Sequence, residues 1–310
     1  MTIDLPPCWS LDQLRQQATS GVVVWATPSV RTRLQKDLPW LVADPAQALD
    51  GHVEWLVVVG GGNLIDEAKS LRAGRPGLKL VVIPSIWGSG AEASPIIVLS
   101  RAGKKKICIN PSARPDAVVC WPELAASVPA NRQREACGDC WSHALEGFLS
   151  PLASPDLREA LAAVMRRMLS LPLSLDPQWF ELSALACAGQ AMASVGLVHG
   201  IAHALESPLC EQQPERNWHH AKLCSTFLLP AMRLNQAGSE KWNQLMTAYQ
   251  LPEKEIWLTL RALFEPESFR AALPVLRREW SAVLRDPCSR TNSVLVRPDW
   301  LERLEQLTLP

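Results

Sequence analysis

The sequence divides into an α/β domain with a parallel sheet over residues 1–129 and an all-helical domain over residues 130–310. Short apolar runs alternate with helix-period patterns through the first ~130 residues. A glycine triplet follows the most apolar of these runs directly. Beyond Pro129 the β-rich runs stop and helical patterns succeed one another.

Gly21 to Trp25, Trp55 to Val59 and Leu80 to Ile83 are the strand candidates, the last stopped by Pro84. Their near-continuous apolar character suits a sheet covered on both faces. Leu64 to Leu71 carries a helical pattern between two of them, and strand, crossover, strand implies parallel pairing. In the second half, helices are expected over residues 133–149, 156–169, 181–203, 221–229, 253–264 and 300–307. Pro172, Pro208, Pro230 and Pro274 are expected between or beside them as breakers.

Hydrophobic residues make up 47% and charged residues 20%, as in a globular protein with a substantial core. Lys plus Arg and Asp plus Glu balance at 31 each, which argues against a nucleic-acid partner. Met1-Thr2-Ile3-Asp4 lacks the basic and apolar regions of an export signal, so a cytoplasmic location and reduced thiols are expected for the nine cysteines. Residues 182–205 are apolar but include Gln190, His199 and His203, and read as buried helix rather than a membrane span. Cys137-x-x-Cys140 lacks a second pair at zinc-finger spacing and carries no metal assignment alone.

Gly60-Gly61-Gly62-Asn63 ends the strongest strand and opens a helix, where backbone N–H groups can meet a phosphate. Alone, such a triplet serves equally well as a tight turn. The loop Pro84 to Glu92, with Ser85 and Ser89, follows a neighbouring strand, and loops at the carboxyl ends of adjacent parallel strands share one crevice. Asp139 and His143 are four apart on a helix, and so are His199 and His203; His219 and His220 follow. A carboxylate with two or three imidazoles is a common set of ligands for a divalent transition metal.

Five ordered motifs between Val22 and Asn235 resemble the iron-containing alcohol dehydrogenase family, the relatives of glycerol dehydrogenase and dehydroquinate synthase. Gly60 to Lys69 resembles GGGSxxDxAK, and Pro84 to Glu92 resembles PTTxGTGSE. Arg114 to Val119 with Pro122-Glu123-Leu124 is similar to LPDxxIxDPEL, and Gly138 to Glu146 to GxDALxHAIE. Gly196 to His203 is similar to the helix that carries a third ligand. The departures are a shorter chain, Trp121 in place of the DPEL aspartate and Cys140 beside Asp139. In addition, Trp218-His219-His220-Ala221-Lys222 stands where the family has a PHG-like turn, after an insertion over Ser207 to Asn217.

The resemblance implies a dinucleotide-binding α/β domain, an all-α domain and an active site in the cleft between them. It implies Fe2+ or Zn2+ on Asp139, His143, His199 and one of His219 or His220, with His220 favoured because it leads into the following helix. It places NADPH or NADH on Gly60, Gly61, Gly62, Asn63 and Asp66, with Ser85, Ser89 and Lys105 of the run Lys104-Lys105-Lys106 near the nucleotide. Where the family often carries an acidic residue that contacts the adenosine ribose, this chain has Ala26, followed by Thr27, Ser29 and Arg31, so NADPH is expected to serve at least as well as NADH. The implied activity is an alcohol dehydrogenase or aldehyde reductase in a biosynthetic step, with His203 as proton relay and a homodimer as the assembly. Its substrate would be a small aldehyde, an anionic one such as phosphonoacetaldehyde if Arg132, Arg134, Arg216 and Lys222 supply charge. The rival readings are a polyol-phosphate dehydrogenase or lyase on the same fold, and a catalytically silent binding protein. No membrane partner is expected.

Overall fold

A computed structural model describes residues 2–40, 42, 43, 45, 49, 52–101 and 104–307. The strands are β1 (Cys8–Trp9), β2 (Val22–Ala26), β3 (Val42–Ala43), β4 (Trp55–Gly60), β5 (Lys79–Pro84), β6 (Ile96–Arg101), β7 (Lys104–Ile109) and β8 (Ala117–Val119). The helices are α1 (Leu11–Gln17), α2 (Pro28–Asp37), α3 (Gly62–Ala73), α4 (Ala130–Leu149), α5 (Pro155–Met168), α6 (Gln178–Gln190) and α7 (Leu197–Gln212). They continue with α8 (His220–Gly238), α9 (Lys241–Ala248), α10 (Glu253–Leu263), α11 (Pro266–Arg285), α12 (Pro287–Arg290) and α13 (Trp300–Gln306). Two compact units emerge, one of residues 4–129 with 175–184, the other of residues 1–3, 130–174 and 185–310.

The first unit is built on a six-stranded sheet in the order β1-β8-β5-β4-β2-β3, parallel throughout. Alternation in β4 and its neighbours sends side chains to two cores. Val24, Val57, Val59, Val81 and Ile83 pack with Leu14, Val30 and Leu34 of α1 and α2. Leu56, Val58, Leu80 and Val82 pack with Leu64, Ile65 and Ala68 of α3. Each such side chain contributes roughly 1.5–3 kcal/mol on full burial. Both sheet faces being covered is the reason these strands read as unbroken apolar runs. An antiparallel hairpin of β6 and β7 stands apart from this sheet.

The second unit is helical. One helix expected over 181–203 is two, α6 and α7, because the chain turns at Ser194, whose φ of 67° no α-helix accommodates. Pro208, Pro230 and Pro274 do not separate helices; they lie inside α7, α8 and α11. Each removes one backbone donor at a cost of about 3 kcal/mol. Buried neighbours offset that cost, such as Leu228, Leu229 and Met232 around Pro230 and Ala272, Val275 and Leu276 around Pro274.

Candidate functional site

In the first unit, β4 ends at Gly60, Gly61 stands as the N-cap of α3 and the helix begins at Gly62. A Cβ at Gly62 would lie 2.9 Å from Ser89 Oγ, so only glycine lets the triplet and the second loop approach this closely. A Cβ at Gly61 would meet nothing within 4 Å, leaving its backbone open to a ligand. Asn63 is exposed in the first turn of α3, and Ser85 and Ser89 are half-buried on the neighbouring loop. The Ser85 N–H donates to Gly60 O at 3.0 Å, tying the two loops together. Gly60, Gly61, Gly62, Asn63, Ser85 and Ser89 are thus assembled at the carboxyl ends of β4 and β5, where a phosphate would meet the helix N-terminus.

Asp66, expected at the cofactor, follows the triplet in α3. It is buried, pairs with Lys69 Nζ at 3.0 Å and accepts from the Val98 N–H at 3.1 Å, pinning β6 to α3. Lys69 also donates to Ala91 O at 2.9 Å and to Ile96 O. Its role is structural: an unpaired buried ammonium would be costly, and Asp66 neutralises it. Lys105 lies in β7, and its side chain is outside the described residues.

Glu92 closes the second loop in the same buried cluster. Burial pushes its carboxyl up to about 7, against the pull of a backbone hydrogen bond and of Lys69. A folded-state value above the unfolded one gives stability that is complete at low pH and is lost as pH rises through about 7. The unfolding free energy of the wild type is therefore expected to fall, relative to Glu92→Gln, by up to ~3 kcal/mol between pH 4.5 and pH 8. Urea titrations at the two pH values check this, and parallel behaviour of the two proteins would contradict it.

The second unit holds a cluster of histidines. Ligand-capable atoms of Asp139, His199, His220 and Cys224 all lie within 4.8 Å of one another. Asp139 comes from α4, His199 from α7, and His220 and Cys224 from α8. The helices α4 and α8 approach closely because residue 138 is glycine; a Cβ there would lie 2.4 Å from Ser225 Cβ. Asp139 is 1% exposed, and its Oδ1 has no hydrogen-bond partner among the described residues. A buried carboxylate oxygen left this way costs free energy that a bound cation would recover. The donor set fits a divalent transition metal.

His143 sits beside this group and not within it. Its ring centroid is 4.6 Å from that of His199, and its Nδ1 is 3.9 Å from Asp139 Oδ1. The two adjacent histidines part company. His220 opens α8 with its ring 5.3 Å from that of His199. His219 caps the same helix, accepting from the Lys222 N–H, and its Nε2 lies 2.8 Å from Glu135 Oε2.

Two carboxylates absent from the expected site hold its histidines. Glu146 Oε2 lies 2.7 Å from His199 Nδ1, while the Val198 N–H donates to its Oε1 at 2.6 Å. Burial pushes Glu146 up to about 8, although backbone donors from Gly196, Val198 and His199 pull the other way. Asp286 Oδ2 lies 3.2 Å from Nδ1 of His203, whose ring stacks on His220 at 5.6 Å. Burial raises Asp286, but hydrogen bonding and charge from His203 outweigh it, and the carboxyl lies below its ordinary value. Burial, with the carboxylates of Asp139 and Glu146, pushes the Cys224 thiol up. Glu146 could have been suspected as one turn beyond His143 on α4; Cys224 repeats the i, i+4 spacing from His220. Asp286 and Cys288 carry no local signal, because His203 is more than 80 residues away.

The four cations expected to meet an anionic substrate have neighbours of their own. Arg132 faces Glu135 at 4.0 Å, Arg134 faces Glu265 at 3.9 Å and Arg216 faces Glu215 at 4.0 Å. Lys222 donates to Arg216 O at 2.8 Å and lies over the Trp218 ring. Cys137 and Cys140 are buried, and none of the nine cysteines is in a disulfide. Among the described residues, no helix is long and apolar enough to cross a membrane.

The chain is similar to several known proteins. The family described as iron-containing alcohol dehydrogenase matches residues 42–122. Probable alcohol dehydrogenase EutG of Salmonella typhimurium is 28% identical over 307 residues, covering 92% of this chain and 72% of that protein. 1-Propanol dehydrogenase PduQ of the same organism is 32% identical over 176 residues, covering 51% of this chain. That alignment spans about half of the relative's own length, 47%. The crystal structure of sulfoacetaldehyde reductase from Bifidobacterium kashiwanohense in complex with NAD+ superposes with a TM-score of 0.74 at 15% identity, over 98% of this chain and 96% of that one. It shows a shared fold.

Proposed function

We propose that the chain, which is similar to iron-containing alcohol dehydrogenases over residues 42–122 and to probable alcohol dehydrogenase EutG over most of its length, is a metal-dependent aldehyde reductase, or alcohol dehydrogenase in reverse, using NADPH or NADH. The observation that carries the proposal is the group of buried Asp139 and His199 with half-buried His220, in which one buried carboxylate oxygen of Asp139 has no hydrogen-bond partner among the described residues. These three residues would hold the cation, with His143 beside them. A divalent ion there supplies Lewis-acid polarisation of the substrate carbonyl.

Glu146, 2.7 Å from His199 Nδ1, orients the ring and would leave Nε2 as the nitrogen available to a cation. His203 passes a proton from Nε2 to the alcohol oxygen as it forms, while Asp286 holds Nδ1 and orients the ring. Gly61 and Gly62, at the start of α3, take the dinucleotide pyrophosphate. Arg132, Arg134 and Arg216 each face a protein carboxylate and Lys222 donates to a backbone carbonyl, so the proposed substrate class is a small aldehyde without a required anionic group. Purified protein supplied with NADPH and a panel of simple aldehydes is expected to consume the reduced cofactor. No consumption with any aldehyde, in protein carrying stoichiometric metal, would reject the proposal.

Cofactor choice follows from the end of β2. Ala26 supplies no carboxylate to repel a 2′-phosphate, and the Arg31 guanidinium donates to Ala26 O at 3.1 Å, with the Thr27 and Ser29 hydroxyls alongside. Ala26 is buried, so an aspartate placed there would carry its own folding cost, and Arg31 is the cleaner probe. A charge-assisted bond to phosphate is worth about 1.5–3 kcal/mol. Arg31→Ala is expected to lower kcat/KM for NADPH about ten-fold or more and to leave NADH nearly unchanged. Equal losses with both cofactors would contradict a phosphate contact.

A further inference from the structure

We propose that the buried Asn292 amide is a positioning residue for the metal centre, holding the first turn of α7, and with it His199, against α8. The inference rests on the reading of Asp139, His199 and His220 as ligands. Asn292 follows α12 and is 6% exposed. Its Oδ1 accepts from the N–H of Leu197, two residues before His199, at 3.1 Å. The same oxygen accepts from Asn235 Nδ2 of α8 at 3.3 Å. In return, Asn292 Nδ2 donates to Asn235 Oδ1 at 2.7 Å and to Val294 O at 2.8 Å. Asn235 is buried as well. An amide carries a donor and an acceptor side by side, so two facing asparagines pair reciprocally.

The first N–H groups of a helix have no partner within it, and a side chain at the N-cap ordinarily accepts from one of them. The N-cap of α7 is Gly196, which has no side chain to offer. A Cβ there would lie 2.6 Å from Asn292 Oδ1 and 2.9 Å from Glu146 Oε1, so both groups reach the helix start because residue 196 is glycine. Between them they cap α7: Asn292 takes the Leu197 N–H, and Glu146 Oε1 takes the Val198 N–H at 2.6 Å. With the first donor taken by Asn292, Glu146 Oε2 faces His199 Nδ1 at 2.7 Å. Glu146 thus orients the His199 ring, and Asn292 places the turn that bears it. A ligand held in place in advance binds its cation more tightly. Asn292 is outside the group of ligand-capable atoms and acts through α7 alone.

The test uses the full-length chain. Zinc affinity is read by competition with a chromophoric chelator, and site geometry from the visible d–d bands of the cobalt(II)-loaded protein. Asn292→Ala is expected to weaken zinc binding about 10- to 100-fold and to shift the d–d bands. Met165→Ala removes a fully buried side chain of α5, outside this network. It is expected to lower the melting temperature of the metal-free protein while leaving zinc affinity and the cobalt spectrum unchanged. Asn235→Ala should also weaken zinc binding, and the double variant should lose less than the product of the two single losses, since either change breaks the same pair. Hydrogen exchange on metal-free wild type needs no variant to fold, and the Leu197 N–H should exchange slowly there. Unchanged zinc affinity in Asn292→Ala, losses that multiply in the double variant, or rapid exchange at Leu197 would each overturn the proposal and leave the Asp139, His199, His220 reading intact. Failure of wild type to bind any divalent ion would defeat that reading, and this proposal with it.

Discussion

His199→Ala is expected to release the metal and to lower kcat/KM for aldehyde reduction by about 10³-fold or more, since a bound cation contributes several kcal/mol of transition-state stabilisation. His199 is the residue on which the cluster converges. Its ring lies 4.6 Å from that of His143 and 5.3 Å from that of His220, and Glu146 grips its Nδ1. Removing the ring takes away one donor and leaves Glu146 buried without its imidazole. Glu146→Gln grades the effect: it keeps the side-chain shape, puts an amide in place of the carboxyl that holds His199 Nδ1, and should weaken metal affinity about 10- to 100-fold. Metal analysis and kinetics on the same preparations measure both. Unchanged metal content in His199→Ala would remove His199 from the ligand set.

His203→Ala is expected to behave differently. It should retain metal and lose about 10²- to 10⁴-fold in kcat, the usual contribution of a positioned proton donor. Its ring stacks on His220 but stands apart from the group of Asp139, His199, His220 and Cys224, and its Nδ1 is committed to Asp286. Asp286→Asn should lower kcat by about ten-fold or more with KM and bound metal unchanged, because it disturbs only the orientation of His203. A His203→Ala protein that loses metal in step with activity would make His203 a ligand, and a variant of full activity would leave the relay to another group.

Some of this architecture is legible in the chain because local pattern and tertiary environment agree. Trp55 to Val59 reads as a buried strand because α1 and α2 cover one sheet face and α3 the other, making every position apolar. Gly60-Gly61-Gly62 marks its own turn because the Gly62 approach to Ser89 tolerates no side chain. The β6–β7 hairpin escapes, because Lys104-Lys105-Lys106 breaks any strand pattern and the hairpin packs on α3 through Asp66 rather than joining the main sheet. Residues 181–203 look like one helix because apolar residues continue through the bend at Ser194. Pro230 looks like a stop because nothing local shows how thoroughly its surroundings are packed.

The site follows the same rule. Asp139, His143, His199 and His203 announce themselves by repeating helical spacing. The pairing of Asp66 with the wholly buried Lys69, one turn on, has no mark in the sequence beyond its i, i+3 spacing. Asp286 and Cys288 reach His203 from a helix end more than 80 residues away, a contact that only the tertiary fold makes.

A metal held by Asp139, His199 and His220 is expected to be required for nicotinamide-linked reduction of an aldehyde. This is tested most directly by stripping the purified chain of metal with a chelator and titrating zinc or ferrous iron back while following NADPH oxidation with a simple aldehyde. The account predicts no turnover in the stripped protein and a linear return of activity that reaches its plateau at one metal per chain. Turnover that persists without metal, or metal that binds at one per chain and restores none, would contradict it.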